Sequence, residues 1–403
     1  MPDHARSDDP AVQAQLDRFA QLSPGRDILG LERITALLAT LGNPHERLPP
    51  VFHVAGTNGK GSTCSFLRAM LEAAGETVHV YTSPHLVRFN ERIRVGGKLI
   101  DDEELAPLLS EVLNRAEVYD IGPSFFEATT AAALLAFSRT PADYCVIEVG
   151  LGGRLDATNV VTPIVCGIAQ VGIDHQAFLG DTLGKIAGEK AGIAKAGVPL
   201  VCLSQPQEAL AAIEAVARIS GAPLCLEGRD WHVDRALQPS MAGAHQLQNA
   251  NLAAQMYMMA GGAHEHIASG IKSARWPARL QKLARGPLTG AKQVWIDGAH
   301  NPAAALALAS ELAAHPRHLV FGILANKDAD GIIAPLAAHA LSLTFVEVPN
   351  HASHDTAFLS AQWGGTTMPS LQAALASIDD NILIVGSLYL AGEALRLNGE
   401  IPD

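Results

Sequence analysis

A glycine-rich segment near the start of the chain carries the residues best suited to bind phosphate. It reads VFHVAGTNGKGSTCSFLRAML from Val51, a pattern that predicts a strand, a loop and then a helix. Backbone N–H groups from Gly59 to Ser62 could surround phosphate oxygens at the positive end of that helix. Lys60 could neutralise charge on β- and γ-phosphates, and the hydroxyl of Ser62 or Thr63 could reach a magnesium ion.

The loop departs from the common GxxxxGK[ST] pattern, because Val54 replaces the first glycine and Gly61 separates the lysine from the hydroxyl. An ordinary glycine turn is the alternative, but the presence of both lysine and hydroxyl favours nucleotide binding. A GTPase is disfavoured because NKDAD, from Asn326, has its aspartates at the wrong offsets for guanine recognition. A small-molecule kinase stays open.

Two further segments offer groups that could hold a divalent cation. YCVIEVGLGG ends a buried strand on Glu148, which is well placed to hold magnesium beside a phosphate loop. The alternative is a strand-end charge that meets solvent. VGIDHQAFLG follows the next strand and supplies Asp174 and His175, although a lone histidine is more often structural than a ligand.

A lysine on an apolar helix face is the least expected feature. DTLGKIAGEKAGIAKAG predicts a helix capped by Asp181 or Thr182 and ended by Gly197, with Lys190 on its buried face. Lys185 and Lys195 point elsewhere. Lys190 either extends its amine to solvent or is buried as a neutral amine, which could add carbon dioxide to give a carbamate.

Apolar strands alternate with helices along most of the chain, which predicts an α/β protein with parallel sheets covered on both faces. The predicted strands start at Val51, Thr77, Tyr144, Ile164, Pro199, Lys292, His318, Leu343 and Asn381. Gly and Pro cluster in ARGPLTGAKQ, from Ala284, before a fresh strand. We therefore expect a larger domain over residues 1–285 and a smaller one over 286–403.

Composition narrows the class of protein. Of 403 residues, 48% are hydrophobic and 17% charged, and the net charge of −12 disfavours nucleic acid as a partner. The sequence shows neither a secretory signal nor a long apolar run, which predicts a cytoplasmic protein without a membrane partner. The five cysteines are scattered singly, as suits a reducing compartment. A monomer is the simplest expectation.

In combination, six motifs resemble the folylpolyglutamate synthase/dihydrofolate synthase family of the Mur-ligase superfamily. They are GTNGKGS, YTSPHLVRFNERI, SFFEATT, EVGLGGRLDATN, DHQAFLG with IAGEKAGI, and DGAHNP. The resemblance implies a P-loop, Mur-ligase-like parallel-sheet N-terminal domain and a smaller Rossmann-like C-terminal α/β domain. It also implies a ligase that uses ATP and Mg²⁺ at two sites to join L-glutamate to dihydropteroate and reduced folates. A monovalent cation requirement is left open.

The resemblance also implies site residues. For the ATP phosphates these are Gly59, Lys60, Gly61 and Ser62, and for the rest of ATP they are Asn249, Arg279 and Asp297. Ser83 and Glu148 would bind one magnesium ion and His175 another, and Lys190 stands in the place of the family's carboxylated lysine. Lys60, His175, Lys190 and His300 would serve catalysis, with His300 in the glutamate or phosphate pocket.

For the pterin the implied residues are Ser124, Phe125, Phe126, Glu127, Asp156, Ala157 and Thr158. Ser387 is the candidate for binding the incoming glutamate. Ala278 departs from the family pattern, which commonly has glycine before the arginine. The alternatives to a bifunctional enzyme are a ligase that only extends folates, a P-loop kinase, and a nucleotide-binding regulator without catalysis.

Overall fold

The computed structural model describes residues 5–22 and 29–403. The chain divides into two compact units. The first comprises the chain up to Ser240 together with Leu247–Arg275, and the second comprises Met241–Gln246 and Trp276–Asp403. The boundary expected between residues 285 and 286 falls inside the second unit, and as a division of function it stays a prediction.

The first unit is built on an eight-stranded sheet with the order β4-β3-β2-β5-β1-β6-β7-β8. Its strands are β1 (Val51–Ala55), β2 (Val78–Tyr81), β3 (Ile93–Val95), β4 (Lys98–Leu99), β5 (Tyr144–Glu148), β6 (Pro163–Ile168), β7 (Leu200–Cys202) and β8 (Leu224–Leu226). In this order, the neighbouring strands β2, β5, β1, β6, β7 and β8 all pair in parallel. Strand β3 pairs antiparallel with both β2 and β4.

Helices accompany this sheet: α1 (Pro10–Leu22), α2 (Glu32–Thr40), α3 (Lys60–Ala73), α4 (Asp102–Val118), α5 (Phe125–Arg139), α6 (Gln176–Leu179), α7 (Leu183–Ala191), α8 (Gln207–Ser220), α9 (Ala244–Met259) and α10 (Glu265–Ser273). Short 3₁₀ turns cover Pro44–Arg47, Phe89–Arg92 and Ala157–Val160. Helix α9 starts in the second unit and continues in the first.

The central strands explain why the site forms where it does. Strand β1 is buried throughout and lies between β5 and β6, both parallel to it. Parallel strands end at the same edge of a sheet, so the segments that follow these three strands must lie close together. Those segments contain the glycine loop, Glu148 and Asp174.

The second unit has a six-stranded sheet with the order β13-β12-β11-β14-β10-β9, antiparallel only at β9. Its strands are β9 (Gln281–Lys282), β10 (Val294–Ile296), β11 (Arg317–Phe321), β12 (Ala340–Phe345), β13 (Thr366–Thr367) and β14 (Ile382–Val385). Its helices are α11 (Pro302–Ala314), α12 (Ala329–Ala337), α13 (Thr356–Trp363), α14 (Leu371–Ser377) and α15 (Leu388–Asn398).

All nine strands predicted from apolar runs are present, and the α/β class is confirmed. The prediction missed β3, β4, β8, β9 and β13, each of only two or three residues. The hairpin of β3 and β4 had a readable signal, since Gly96 and Gly97 adopt φ of 54° and 87° at its turn. A Gly-Gly pair between two short alternating runs is typical of such a turn.

The predicted end of the Lys190 helix is wrong. Helix α7 is capped by Thr182, as one of the two predicted caps, but it ends at Ala191 rather than at Gly197. Asn159 explains the early end, because its side-chain amide donates to the carbonyl oxygen of Gly192, 3.1 Å away. That bond satisfies a carbonyl which helix continuation would otherwise use.

Candidate active site

The glycine loop has a conformation that requires glycine at its last position. Gly59 has φ of 88°, and a Cβ added to it would lie 2.3 Å from Oδ1 of Asn249. Helix α3 starts at the next residue, and Thr63 bonds the carbonyl oxygen of Gly59 through both its backbone N–H and its hydroxyl, each at 2.9 Å. Asn249, expected to contact ATP, therefore lies directly against the loop expected to hold the phosphates.

Ser62 is the hydroxyl left available in this loop. Its side chain is 1% exposed, and its Oγ has no hydrogen-bond partner within residues 5–22 and 29–403. An unsatisfied buried polar group costs about 1–3 kcal/mol, so each one needs an explanation, and beside a glycine loop a bound ligand or ion provides one. Of the two hydroxyls that the sequence offered, the structure leaves only that of Ser62 open to a phosphate oxygen or a metal ion.

The side chains of Lys60 and Glu148 lie close together beside the glycine loop. Nζ of Lys60 donates to the carbonyl oxygen of Thr57 at 3.3 Å and lies 4.0 Å from Oε1 of Glu148. The Glu148 carboxylate is buried and accepts a hydrogen bond from the backbone N–H of Ser83 at 3.2 Å. The hydroxyl of Ser83 makes no hydrogen bond to the described part of the chain. These oxygens are hard donors of the kind that magnesium prefers.

Lys190 is buried, as its position on the apolar face of the helix predicts. It is 4% exposed, and its Nζ donates to the carbonyl oxygen of Gly56 in the glycine loop at 3.0 Å. Burial, and to a smaller extent the charge of Lys60, lower the pKa of Lys190 to about 7, although Asp174 and Asp156 oppose the shift. A large fraction of this amine is therefore neutral near pH 7.

The loop after β5 holds the helix of Lys190 in place. A Cβ on Gly153 would lie 2.7 Å from the carbonyl oxygens of Glu189 and Lys190, so only glycine permits this approach. The backbone N–H of Arg154 donates to the carbonyl oxygen of Glu189 at 2.8 Å, and its guanidinium pairs with the Glu189 carboxylate, also at 2.8 Å. The GLGGR motif thus fixes the backbone that presents Lys190.

Asp174 and His175 differ in exposure. The side chain of Asp174 is 10% exposed and that of His175 is 46% exposed, with Nε2 of the histidine 3.9 Å from Oδ1 of the aspartate. Thr57 and Gly172 exchange hydrogen bonds of 3.0 Å, which tie this segment to the glycine loop. Over the described ranges, His, Cys, Asp and Glu side chains alone form no group of three able to hold a metal ion. A metal here would need serine hydroxyls, phosphate or a modified lysine as further ligands.

The segment expected to contact pterin begins α5 and contains an ion pair that the sequence did not reveal. Ser124 caps the helix, and the buried carboxylate of Glu127 accepts from the Ser124 N–H at 2.6 Å and pairs with Arg33 at 3.0 Å. Phe125 packs in the core, whereas the ring of Phe126 covers Gly150, where a Cβ would lie 2.3 Å from it. Because Arg33 and Glu127 are far apart in sequence, no local pattern pairs them.

The second expected pterin segment is buried and bonded internally. Oδ1 of Asp156 accepts from both the N–H and the hydroxyl of Thr158, and Oδ2 accepts from the N–H of Leu151 at 2.8 Å. The Thr158 hydroxyl also lies 2.8 Å from Nε2 of His53. Ala157 is buried beside them. These side chains shape the loop after β5, and their contact with pterin stays a prediction.

In the second unit, Asp297 and Arg279 lie in one tight cluster. Asp297 follows β10 and accepts from the N–H groups of Leu280 and Ala299 at 2.8 Å each. Nη1 of Arg279 lies 2.8 Å from the place a Cβ on Gly298 would occupy. Ala278 has φ of 55°, in the left-handed region that favours glycine, which gives a physical reason for the glycine common at this position in the family.

His300 and Ser387 follow two neighbouring parallel strands, β10 and β14, and so lie at the same sheet edge. His300 is bonded through Nδ1 to the carbonyl oxygen of Gly298 at 2.8 Å. Ser387 is buried and caps α15, accepting from the N–H of Tyr389 at 3.1 Å. His245, which the sequence analysis did not single out, is close enough to Asp297 and Arg279 to feel both charges, and burial lowers its pKa.

Comparisons with known proteins give the chain a family. No family model matches it. It is 36% identical over 408 residues to the dihydrofolate synthase/folylpolyglutamate synthase of Bacillus subtilis, covering 90% of this chain and 94% of that protein. It is 34% identical to a probable bifunctional folylpolyglutamate synthase/dihydropteroate synthase of Halobacterium salinarum, where 91% of this chain spans about half (49%) of the relative.

No helix within the described residues is long and apolar enough to span a membrane.

Solved structures agree with these relatives. The Escherichia coli FolC complex with DHPP and ADP has a TM-score of 0.87 at 31% identity and covers 97% of this chain and 98% of that one. A bifunctional folylpolyglutamate synthase/dihydrofolate synthase of Yersinia pestis, complexed with AMPPNP and Mn ion, has a TM-score of 0.85 at 28% identity, with coverages of 96% and 97%. The two units therefore have the Mur-ligase-like architecture, and the chain belongs to the folylpolyglutamate synthase/dihydrofolate synthase family.

Proposed function

We propose that this chain is an ATP- and magnesium-dependent ligase that joins L-glutamate to dihydropteroate and to reduced folates. In the first step the γ-phosphoryl group of ATP passes to a carboxylate oxygen of the acid, giving an acyl phosphate and ADP. In the second, the amino group of glutamate attacks the acyl carbon, the C–O bond to phosphate breaks, and the amine loses a proton. The products are an amide, ADP and inorganic phosphate.

One observation carries this proposal: four groups suited to phosphoryl transfer surround the ends of β1, β5 and β6. They are the unpartnered hydroxyl of Ser62, the ammonium of Lys60, the buried carboxylate of Glu148 and the buried amine of Lys190. A carboxylate becomes a good acyl donor once it is phosphorylated, so the protein mainly needs to align the reactants and neutralise charge. Lys60 supplies that charge at the phosphates, and the loop N–H groups hold them.

The oxygen donors fit a magnesium ion. Ser62, Ser83 and Glu148 would hold the first ion, because two of these hydroxyl and carboxylate groups are buried beside the phosphate loop and the Ser83 hydroxyl is uncommitted. His175 would contribute to a second. When bound, magnesium supplies positive charge that offsets the charge on the transferring phosphoryl group. A monovalent cation requirement is a separate question, answered by titrating potassium against sodium in the same assay.

Lys190 is proposed to act as its carbamate. A buried amine whose pKa falls to about 7 is nucleophilic: its nitrogen adds to carbon dioxide and releases a proton, and the resulting carboxylate would add oxygen ligands near Asp174. We expect Lys190→Ala to lower kcat by at least about 100-fold. Lys185→Ala should leave activity unchanged, since that side chain is exposed and pairs with Asp181. Lys195→Ala should affect stability more than activity, because its amine bonds Asn159. Equal losses of activity in the three variants would contradict the special role of Lys190.

The deciding experiment for the reaction is an acceptor panel with radiolabelled glutamate, run with and without ATP. Labelled product is expected from dihydropteroate and from tetrahydrofolate, each only when ATP is present. Product from tetrahydrofolate alone would identify an enzyme that only extends folates. ADP formed at full rate without any amino acid would instead identify a kinase, and no turnover with any acid would leave a non-catalytic binding protein.

We also propose a cytoplasmic, monomeric protein. All five cysteines lie within the described residues as free thiols, four of them buried, which suits a reducing compartment. The net charge of −12 opposes self-association. Light scattering should give one chain per particle over a tenfold range of concentration.

A further inference from the structure

His85 has a fixed tautomer that places a hydrogen-bond donor on its Nε2 atom. Its Nδ1 accepts a hydrogen bond from Nε of Arg92 at 2.9 Å. A guanidinium can only donate, so Nδ1 carries no proton and the neutral ring carries its hydrogen on Nε2.

The Nε2 donor of His85 has no partner in the part of the chain that the structure describes. The residue is 8% exposed, and Nε2 is not one of the fully buried atoms that lack a partner. Nε2 therefore belongs to the small part of the ring that solvent can reach. A donor held in one orientation with an open direction is suited to meet an acceptor on a bound molecule.

The backbone on both sides of His85 is firmly held. After it, the N–H groups of Leu86 and Val87 donate to the carboxylate of Glu91 at 2.7 and 2.8 Å, and Arg88 does so at 2.6 Å. Before it, the N–H of Ser83 donates to Glu148. The ring therefore keeps its place without a ligand, which reduces the entropy lost on binding.

The position of His85 indicates which substrate it meets. It lies two residues after Ser83, an expected magnesium ligand. The ring of Phe89 is 6.0 Å from that of His85, and the guanidinium carbon of Arg92 is 5.6 Å from the ring centroids of both Phe89 and Phe125. Phe125 belongs to the segment expected to contact pterin. His85 is thus two residues from an expected magnesium ligand, and its partners Arg92 and Phe89 pack against the segment expected to contact pterin.

We propose that His85 binds the acid substrate, donating from Nε2 to a carbonyl oxygen or ring nitrogen of the pterin-bearing molecule. The inference rests on the proposed function, since it assumes that such an acid binds here. It assigns His85 to substrate binding and Arg92 to positioning, because Arg92 sets the tautomer.

Two substitutions by amide side chains distinguish the role of Nε2 from that of Nδ1. His85→Gln can place an N–H donor near the position of Nε2, whereas His85→Asn can place only an acceptor for Arg92 near that of Nδ1. We expect His85→Asn and His85→Phe to raise KM for dihydropteroate about tenfold. KM for ATP and for glutamate should stay unchanged, and His85→Gln should recover most of the loss.

Melting temperatures of all three variants, measured without substrate, separate binding from folding. If His85→Asn keeps the wild-type KM for dihydropteroate and His85→Gln raises it, the histidine acts only as a partner for Arg92 and the inference is wrong. A rise in KM for ATP alone would overturn it as well. If the wild-type protein ligates glutamate and every variant matches it, the inference fails while the proposed function stands. A wild-type protein without ligase activity is the failure of the proposed function itself.

Discussion

At the scale of single residues, the two hydroxyls that follow Lys60 differ in a way that the sequence cannot express. The Thr63 hydroxyl bonds the carbonyl oxygen of Gly59, so it stabilises the first turn of α3. The Ser62 hydroxyl is buried and has no partner across the described ranges. One hydroxyl therefore serves the fold, and the other is left unsatisfied at a cost in stability, as is expected of a group that binds a ligand.

This difference gives the first prediction. Ser62→Ala removes an unsatisfied buried group, so its melting temperature should equal or exceed that of the wild type, while kcat falls about 100-fold. Thr63→Val is the matched control, because it keeps the shape but loses a bond, and it should lower the unfolding free energy by about 1 kcal/mol. Thermal unfolding and steady-state assays test both. A large loss of stability in Ser62→Ala would show that the hydroxyl has a structural partner.

Lys190 gives a prediction about pH. Its pKa is about 7 in the folded chain and 10.5 in the unfolded chain, so the unfolded state binds more protons between these values and stability rises with pH. The unfolding free energy of wild type minus that of Lys190→Met should therefore increase by about 2 kcal/mol from pH 7 to pH 9. Urea titrations without nucleotide, metal or bicarbonate measure it. Lys185→Met, at an exposed position, should show no such change. If the unfolding free energies of wild type and Lys190→Met change in parallel with pH, Lys190 is not buried as an amine.

At the scale of elements, two glycines with nearly the same backbone conformation separate conformational strain from loss of function. Gly59 has φ of 88° and Gly75 has φ of 85°. A Cβ on Gly59 would meet Asn249, whereas one on Gly75 would meet nothing within 4 Å.

Gly75→Ala should lose about 1–2 kcal/mol of stability, since L-residues are disfavoured in this region, and Gly59→Ala should lose at least as much because its Cβ also meets Asn249. Only Gly59→Ala should also weaken ATP binding, because it displaces Asn249 and the phosphate loop together. Calorimetric titration with a non-hydrolysable ATP analogue measures the affinity. If Gly75→Ala weakens binding as much as Gly59→Ala does, general strain rather than the loop explains the loss.

The sequence predicted the elements better than it predicted their contacts. Buried parallel strands such as β1 and β5 are continuous apolar runs, and a run of five residues is readable without knowledge of the rest of the chain. The end of α7 was not readable, because Asn159 terminates it from a distant part of the sequence. The pair of Arg33 and Glu127 is hidden for the same reason, since a helix periodicity carries no information on which other helix it will meet.

At the scale of the whole molecule, the net charge of the chain has the same sign as the charge of the proposed ligands. ATP, glutamate and a pterin-bearing acid are all anionic, yet the chain has a net charge of −12. Affinity for them must therefore come from local groups in the site. In the first unit Lys60 is such a group, and because its side chain is only 16% exposed, its interactions are less screened by salt than those of surface charges.

The distribution of site residues over the two units predicts a division of labour between the two chemical steps. The glycine loop and Lys60, expected to hold the ATP phosphates, lie in the first unit, and Ser387, expected to bind glutamate, lies in the second. Lys60→Ala should abolish acyl phosphate formation, measured by trapping with hydroxylamine. Ser387→Ala should leave that trapping intact and raise KM for glutamate.

Ser370 provides the control for Ser387, because it caps α14 in the same unit through a comparable bond to the N–H of Ala373. Loss of either cap should cost about 1 kcal/mol of stability. Ser370→Ala should keep the wild-type KM for glutamate, since α14 follows β13 at the other end of the sheet order from β10. If both serine variants raise KM equally, Ser387 serves only to cap its helix. If Ser387→Ala instead prevents acyl phosphate formation, the two steps are not divided between the units in this way.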